Sequence, residues 1–334
     1  MATAIRQLRH MAAALAASLA FAAPLGATEI IVTSEIPLSV NPSPYIVQFI
    51  EAVSKSTNGA VKGKYFEASQ LYNDRDGLAA LGTGAVHMVW PVTSRLEPID
   101  PRLGIASLPF ALSSTDMGNK CFAQGFTGMM SDYLAPKGLG ILGFARTADL
   151  MFLMKSKDIQ KLEDLRGQKI RVIAGKTMLD AMRSAQASPV AMAASEMSAA
   201  LAQGAIDGML TSPAGWVNVV GPTAKHASLF PGMSLATSAV VVDKKWFDAL
   251  PAAHRTAIQA ALDEILARQW KETVRADEEL IAKMVAQGGT YRVIPPNEVA
   301  RMKARFAPAG EEFRKQNPEA VAKFEGLRKS CNVQ

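Results

Sequence analysis

The sequence predicts an α/β fold with two lobes, joined by crossing strands and one long bridging helix. Short β-branched apolar segments alternate with helical segments, and this alternation starts again near residue 148. The chain has 334 residues, which is more than the roughly 250–300 at which a single core stops growing. A helical pattern runs from Ala252 to Gly288, and at 1.5 Å per residue it is longer than one lobe needs.

The first lobe contains the following elements in chain order. A strand at 29–33 precedes a helix at about 45–57, and a second strand follows at 61–66. Asn73 begins a helix that runs to Leu81, because its side-chain oxygen can accept from the first free backbone N–H groups. The remaining predicted elements are a strand at 86–90, a helix at 114–134 and a strand at 140–145.

The second lobe repeats the alternation. Its predicted elements are strands at 150–155, 169–173, 190–192 and 206–210, with helices at 178–186 and 196–203. An apolar strand at 236–242 precedes the long helix, whose apolar residues recur with the helical period. The first lobe is therefore predicted to hold 28–147 plus about 237–270, and the second 148–236 plus about 271–334.

The N-terminal segment has the layout of a secretory signal. Arg6 and Arg9 precede an apolar run at 11–21, and small residues lead to a predicted cut after Ala27. The run is too short for a membrane span of about 20 residues, although a retained anchor is the alternative. The protein is therefore expected in the periplasm.

The charge balance gives little support for nucleic-acid binding. Loss of residues 1–27 lowers the net charge from +6 to +4, because that segment holds two arginines and no acid. The basic cluster Lys155, Lys157 and Lys161 has acids nearby and no interleaved aromatic residues. A mildly positive protein suits the capture of anions.

Two cysteines, Cys121 and Cys331, remain after the predicted cleavage. In an oxidising compartment they could form one disulfide that ties the C-terminal segment to the body of the protein. The alternative is two unrelated thiols.

Signatures of catalysis and of cofactor binding are absent from the sequence. There is no Gly-x-Ser-x-Gly, His-Glu-x-x-His, Walker or Cys-x-x-Cys motif. The one Gly-x-Gly-x-x-Gly, at 138–143, lies in a strand without the helix N-terminus that holds a pyrophosphate. The histidines lie far apart in the chain, so neither a metal site nor a Ser–His–Asp triad is expected. The sequence favours a binding protein without cofactor or metal over an enzyme.

An ordered set of motifs covers nearly the whole mature chain. It comprises SQL at 69–71, LGTGAVHM at 81–88, LPF at 108–110, LEDLRGQKIRV at 162–172, ALAQGAIDG at 200–208 and WFDALP at 246–251. In this order and spacing the set resembles the substrate-binding subunits of tripartite ATP-independent periplasmic (TRAP) transporters, the C4-dicarboxylate-binding family. The resemblance implies a two-lobed receptor with a periplasmic-binding-protein-like fold, which closes on a small organic acid and delivers it to membrane permease subunits.

The resemblance further implies that Arg171, in the strand KIRV, pairs with the ligand carboxylate. A guanidinium is suited to this role because its planar fork of donors matches a carboxylate. The alternative is a structural ion pair with an internal acid. Arg146 is implied as a second carboxylate contact, and Ser212 stands where the family often has an asparagine before Pro213.

Three further residues are candidate ligand contacts. Trp216 stands where ectoine-binding relatives place an aromatic ring, and Glu35 where they place an acid. Trp90 ends its strand and is expected at the cleft, because ligands of α/β proteins bind at the carboxyl ends of strands. Core packing is the alternative for both tryptophans, and a surface position or an ion pair with an arginine is the alternative for Glu35.

The sequence thus predicts a monomeric receptor for a small organic acid, with a TRAP permease as its partner. Two other classes stay open. One is a ligand-binding sensor module of the cell envelope, and the other is an envelope enzyme that uses the same cleft. The sequence does not identify the ligand.

Overall fold

The computed structural model describes residues 27–333. The predicted signal segment therefore lies, except for Ala27, outside the described residues. Among the described residues, no helix combines the length and the apolar character that crossing a bilayer requires.

Strands and helices alternate as the sequence predicts. The strands are β1 (Thr28–Thr33), β2 (Val61–Phe66), β3 (Met88–Val89), β4 (Leu139–Asp149), β5 (Met151–Met154), β6 (Lys169–Val172), β7 (Ser188–Ala191), β8 (Gly208–Thr211), β9 (His226–Leu229), β10 (Leu235–Asp243) and β11 (Thr290–Val293). The helices are α1 (Ser43–Ser56), α2 (Asp74–Ala80), α3 (Ser114–Gly118), α4 (Lys120–Leu134), α5 (Lys176–Ser184), α6 (Met197–Ala202), α7 (Pro213–Gly215), α8 (Lys244–Ala249), α9 (Ala252–Ala286), α10 (Pro296–Gln316) and α11 (Pro318–Ser330).

The strands form two sheets, one in each lobe. The first sheet has the order β2-β1-β3-β10-β4, and the second has the order β11-β9-β5-β8-β6-β7. Neither sheet is purely parallel. Strand β10 runs antiparallel to β3 and β4. Strand β4 leads the chain into the second lobe and β10 leads it back beside β4, so these two strands run in opposite directions.

The two lobes are connected in the predicted way. Strand β4 leads through Leu150 into β5, and the chain returns to the first sheet between β9 and β10. Helix α9 has 35 residues, which is about 50 Å at 1.5 Å per residue. Ile258 and Leu262 of α9 pack in the core of the first lobe, and Met284 packs in the second. The bridging helix is therefore confirmed.

Local sequence signals determine where several helices begin. The side-chain oxygen of Asn73 accepts from the backbone N–H of Asp76 at 2.9 Å, so the predicted cap is present. The single helix predicted for 114–134 is instead two helices. Asn119 between them has an extended backbone, and its side chain caps α4 by accepting from the N–H of Phe122.

The C-terminal segment divides between the lobes. Helix α10 packs on α5 of the second lobe, whereas α11 packs on α4 of the first. Phe313, Ala320 and Phe324 belong to the core that contains Phe122 and Phe126. Assigning all of 271–334 to the second lobe therefore conflicts with the packing, and we propose that 317–333 belong to the first lobe. The periodicity of a helix marks an apolar face without identifying the surface that covers it.

A disulfide joins α4 to the end of α11. The Cα atoms of Cys121 and Cys331 lie 5.6 Å apart, at a sequence separation of 210. The side-chain amide of Asn119 also donates to the carbonyl of Cys331 at 3.0 Å.

We expect the double variant Cys121→Ser/Cys331→Ser to lose about 3–5 kcal/mol of unfolding free energy, because the unfolded chain regains the entropy of a long loop. Urea titration of both proteins, with and without reductant, measures the loss. Reductant should lower the midpoint of the wild type and leave that of the variant unchanged. Equal midpoints for the oxidised wild type and the variant would contradict the stabilising role.

Candidate functional site

A cavity lies between the two lobes beside the strand crossing. It has a volume of about 550 Å³, which includes open solvent. We call it the interlobe cavity and define it by its lining residues: Glu35, Ile36, Pro37, Val40, Val92, Thr147, Leu150, Arg171, Ile173, Ala194, Met197, Thr211, Ser212, Gly215 and Val219. Both lobes supply walls, so movement of one lobe relative to the other would open or close this space.

Arg171 is held rigidly in the wall of the second lobe. It lies on β6, between β7 and β8, and only 3% of its surface is exposed. Its Nε and Nη2 donate to the carbonyl of Met192 at 3.1 and 3.0 Å, and its Nη1 donates to the carbonyl of Leu210 at 3.1 Å. These backbone acceptors fix the plane of the guanidinium.

The charge of Arg171 has no carboxylate partner in the described part of the chain, where no ion pair within 4.0 Å includes it. The structure therefore does not place Arg171 in an ion pair with an internal acid, which was the alternative to a ligand contact. A guanidinium has five N–H bonds, and three donate to backbone carbonyls, so one on each terminal nitrogen remains for a ligand. Burial, followed by the charge of Arg95, lowers the pKa of Arg171 to about 10, and it stays protonated at neutral pH.

An acidic group faces the cavity from the first lobe. Glu35 follows β1 and accepts from Nη2 of Arg95 at 3.3 Å. Behind it, the buried Asp74 accepts from the backbone N–H of Glu35 and from that of Val92, both at 3.0 Å. This network holds the ends of β1 and β3 together at the cavity.

Asp74 titrates far from its ordinary range. Burial, reinforced by the charge of Glu35, raises the pKa of Asp74 from 3.8 to about 8, although the two backbone donors and Arg95 act in the opposite direction. The folded protein then retains a proton on Asp74 that the unfolded chain releases near pH 4.

We expect the unfolding free energy to fall as pH rises from about 4 to about 8, because the unfolded state binds fewer protons in this range. One proton contributes a slope of at most about 1.4 kcal/mol per pH unit. The variant Asp74→Asn should flatten the dependence, and Asp76→Asn, an exposed acid on the same helix, should not. Urea unfolding at several pH values measures the slopes. Parallel profiles for the wild type and Asp74→Asn would contradict the assignment.

Ser212 joins Arg171 and Glu35 at the cavity. Its Oγ accepts from the backbone N–H of Gly215 at 2.9 Å and so caps the turn of α7. Its hydroxyl proton remains available for a ligand, as does the hydroxyl of Thr211 on the same lining. The hydroxyl of Thr147 also lines the cavity and lies 3.4 Å from that of Ser238.

Arg146, in contrast, lies outside the interlobe cavity. Its Nη1 donates to Oδ2 of Asp277 on α9 at 2.7 Å, and its Nη2 donates to Oδ2 of Asp149 at 2.9 Å. The predicted ligand contact therefore conflicts with the structure, in which two carboxylates already pair with this guanidinium. Arg146 fastens the bridging helix to the crossing strand β4.

The two candidate tryptophans also lie outside the cavity. Trp90 is fully buried in the core of the first lobe, with its ring 6.2 Å from that of Phe49. Trp216 is fully buried in the second lobe, where its Nε1 donates to the carbonyl of Ala224 at 2.8 Å. Both predictions conflict with the structure because these side chains point into the layer between sheet and helix.

Sequence reasoning missed Arg95, Asp74 and Thr147. Arg95 lies in the helical turn that follows β3, so the rule on strand carboxyl ends could have identified it. Asp74 follows a capping residue and looks like an ordinary first-turn acid. Thr147 lies within β4 and carries no distinguishing signal.

Comparison with known proteins identifies the family. The family model for bacterial extracellular solute-binding protein family 7 (DctP) matches residues 43–316. The C4-dicarboxylate-binding periplasmic protein DctP of Rhodobacter capsulatus is 30% identical over 264 residues, covering 78% of each chain.

Two solved structures have the same fold. The sugar acid binding protein DctPAm of Advenella mimigardefordensis, in complex with galactonate, has a TM-score of 0.84 at 20% identity and covers 92% of this chain and 99% of its own. A TRAP periplasmic solute binding protein of Sulfurospirillum deleyianum with bound succinate has a TM-score of 0.81 at 21% identity, covering 90% and 98%. At sequence identities of 20% and 21%, this structural similarity establishes the fold alone.

These matches confirm the resemblance inferred from the motifs and the two-lobed fold that it implied. The extracellular character of the family agrees with the export predicted from the N-terminal segment. The chain belongs to the bacterial extracellular solute-binding proteins of family 7, the DctP family.

Proposed function

We propose that the protein is the receptor of a TRAP-type transporter, and that it captures an organic acid in the interlobe cavity on the guanidinium of Arg171. A buried, rigidly oriented cation without a carboxylate partner carries this proposal. A buried charge is unfavourable unless it is paired, so a carboxylate ligand supplies the missing partner.

The geometry also explains how capture could be transmitted to a membrane permease. Arg171 belongs to the second lobe, whereas Glu35 and Val92 belong to the first. A ligand that contacts both walls binds the closed arrangement more tightly than the open one, and it therefore shifts the protein towards closure. The closed form is the state that we propose the permease subunits recognise.

Binding without catalysis fits the composition of the cavity. In the described part of the chain its lining contains no histidine or cysteine, and its hydroxyls belong to Thr147, Thr211 and Ser212. Glu35, the acid that lines it, is paired with Arg95. These contacts support a receptor rather than an envelope enzyme.

The test is calorimetry on the mature protein, unfolded and refolded beforehand to remove any ligand carried through purification. We expect a dissociation constant in the micromolar range or tighter for at least one organic acid, together with a higher melting temperature because the ligand binds the folded state. The neutral carboxamide of the best acid is the control and should bind at least about 100-fold more weakly. Equal binding of the acid and its amide, or failure of every organic acid, would overturn the proposal.

A further inference from the structure

The interlobe cavity offers one positive charge to a ligand. Among its lining residues in the described part of the chain, Arg171 is the sole cation. Two other arginines lie near the crossing and the cleft, outside the lining of the cavity. Arg146 pairs with Asp149 and Asp277, and Arg95 pairs with Glu35 through Nη2 at 3.3 Å, while its buried Nε has no partner among the described residues. A ligand with one carboxylate can therefore be neutralised by Arg171, whereas a second carboxylate finds no second cation on the lining.

The wall opposite Arg171 is unfavourable for a second anion. Glu35 lines the cavity from the first lobe, and Asp74 lies directly behind it, bonded to its backbone N–H. Asp74 keeps its proton at neutral pH, so Glu35 supplies the negative charge on this side of the cavity. A second ligand carboxylate here would lose its hydration and meet the like charge of Glu35, with no second cation among the lining residues to offset it.

Apolar side chains from both lobes form the rest of the lining. Ile36, Val40 and Val92 of the first lobe pack in one cluster with Ile173 and Val219 of the second. These residues line the same cavity. A ligand with hydroxyl groups along its whole length would bury polar atoms against this cluster without partners, at a cost in free energy. An apolar ligand body would instead extend a contact that already spans the two lobes.

From these observations we infer that the receptor selects a monocarboxylate with a compact, mainly apolar body, and discriminates against dicarboxylates and polyhydroxy acids. Hydroxyls of Thr147, Thr211 and Ser212 leave room for one polar substituent near the carboxylate, such as an oxo or hydroxy group. This inference rests on the proposed function, because it specifies the ligand of the same site.

Calorimetry with three probes tests the selectivity: 4-methyl-2-oxopentanoate, succinate and galactonate. We expect the branched monocarboxylate to bind at least about 100-fold more tightly than either of the others. Succinate or galactonate binding as tightly as the branched acid would overturn the inference and leave the proposed function standing. If none of the three and no other organic acid binds, the proposed function itself fails.

The variant Glu35→Gln tests separately whether the negative charge of Glu35 disfavours a second ligand carboxylate. This variant frees Arg95 from its partner and removes the acid from the cavity, so the preference for the monocarboxylate over succinate should narrow by about 10-fold. Glu29→Gln is the matched control, because Glu29 lies on β1, the strand that precedes Glu35, and pairs with Lys64 at the surface. An unchanged preference in Glu35→Gln would contradict the role of Glu35. Should Glu35→Gln fail to fold, the comparison of the three probes on the wild type still decides.

Discussion

Replacing Arg171 with alanine is expected to weaken binding of the organic acid by roughly 100- to 1000-fold, which is about 3–4 kcal/mol. The ligand carboxylate would then enter a partly buried site without a counter-charge, and it would lose its hydration without compensation. The low dielectric of the closed cavity makes this loss larger than for an exposed pair.

Arg171→Lys separates the charge of the side chain from its shape. Lysine keeps a positive charge, but it cannot hold Met192 and Leu210 while presenting two parallel donors. We expect an intermediate affinity, at least about 10-fold weaker than that of the wild type. Arg166→Ala is the matched control, because Arg166 is exposed in the same lobe and its Nε donates to the side chain of Gln186.

Calorimetry on the three variants gives the affinities, and thermal unfolding without ligand shows whether each variant is folded. Unchanged affinity in a folded Arg171→Ala variant would refute Arg171 as the anchor. A loss as large in Arg166→Ala would show that the effect is not specific to the cavity.

The second large effect concerns stability. We expect Asp277→Ala to lower the unfolding free energy by about 3 kcal/mol, because it leaves the buried guanidinium of Arg146 with a single, half-exposed partner. Burial raises the pKa of Asp277 to about 6, while Arg146 acts in the opposite direction. Measurements should therefore be made at about pH 7.5, where the carboxylate is ionised and the pair is formed.

The double variant Arg146→Met/Asp277→Leu should recover most of the lost stability, because removing both charges removes the cost of burying one alone. A double-mutant cycle in urea, completed by the single variants Arg146→Met and Asp277→Leu, then gives the coupling between the two residues. The ligand affinity of the double variant should stay within about 3-fold of that of the wild type, since neither residue lines the interlobe cavity. A large loss of affinity in this folded double variant would restore Arg146 as a ligand contact. Failure of the second substitution to recover stability would contradict the ion pair.

Much of the secondary structure could be predicted from local sequence signals. The cap at Asn73, the long helix that starts at Ala252 and the alternation of strands depend on interactions within a few residues, so the sequence is enough to predict them. The helix predicted for 114–134 was wrong at one point, because the side chain of Asn119 favours a new cap over continuing the helix.

Sequence reasoning located those site residues whose position at the end of a strand brings them to the cleft. Arg171, Glu35 and Ser212 all lie at the carboxyl ends of strands or directly after them, and the structure brings the three to one cavity. The residues adjacent to Arg171 in sequence did not distinguish a ligand anchor from a structural ion pair. The family motifs supplied the reason to prefer the anchor.

By itself, the sequence determined the two-lobed α/β class, the bridging helix and the family, because these follow from periodicity, caps and an ordered set of motifs. Only the tertiary structure decided which polar groups meet. Asp277 reaches Arg146 across 131 residues of chain, Trp90 turns towards Phe49 rather than the cleft, and Glu35 comes to face Arg171 from the other lobe. The energy of such contacts depends on distance, burial and the direction of each side chain, which are properties of the folded packing and leave no local pattern in the sequence.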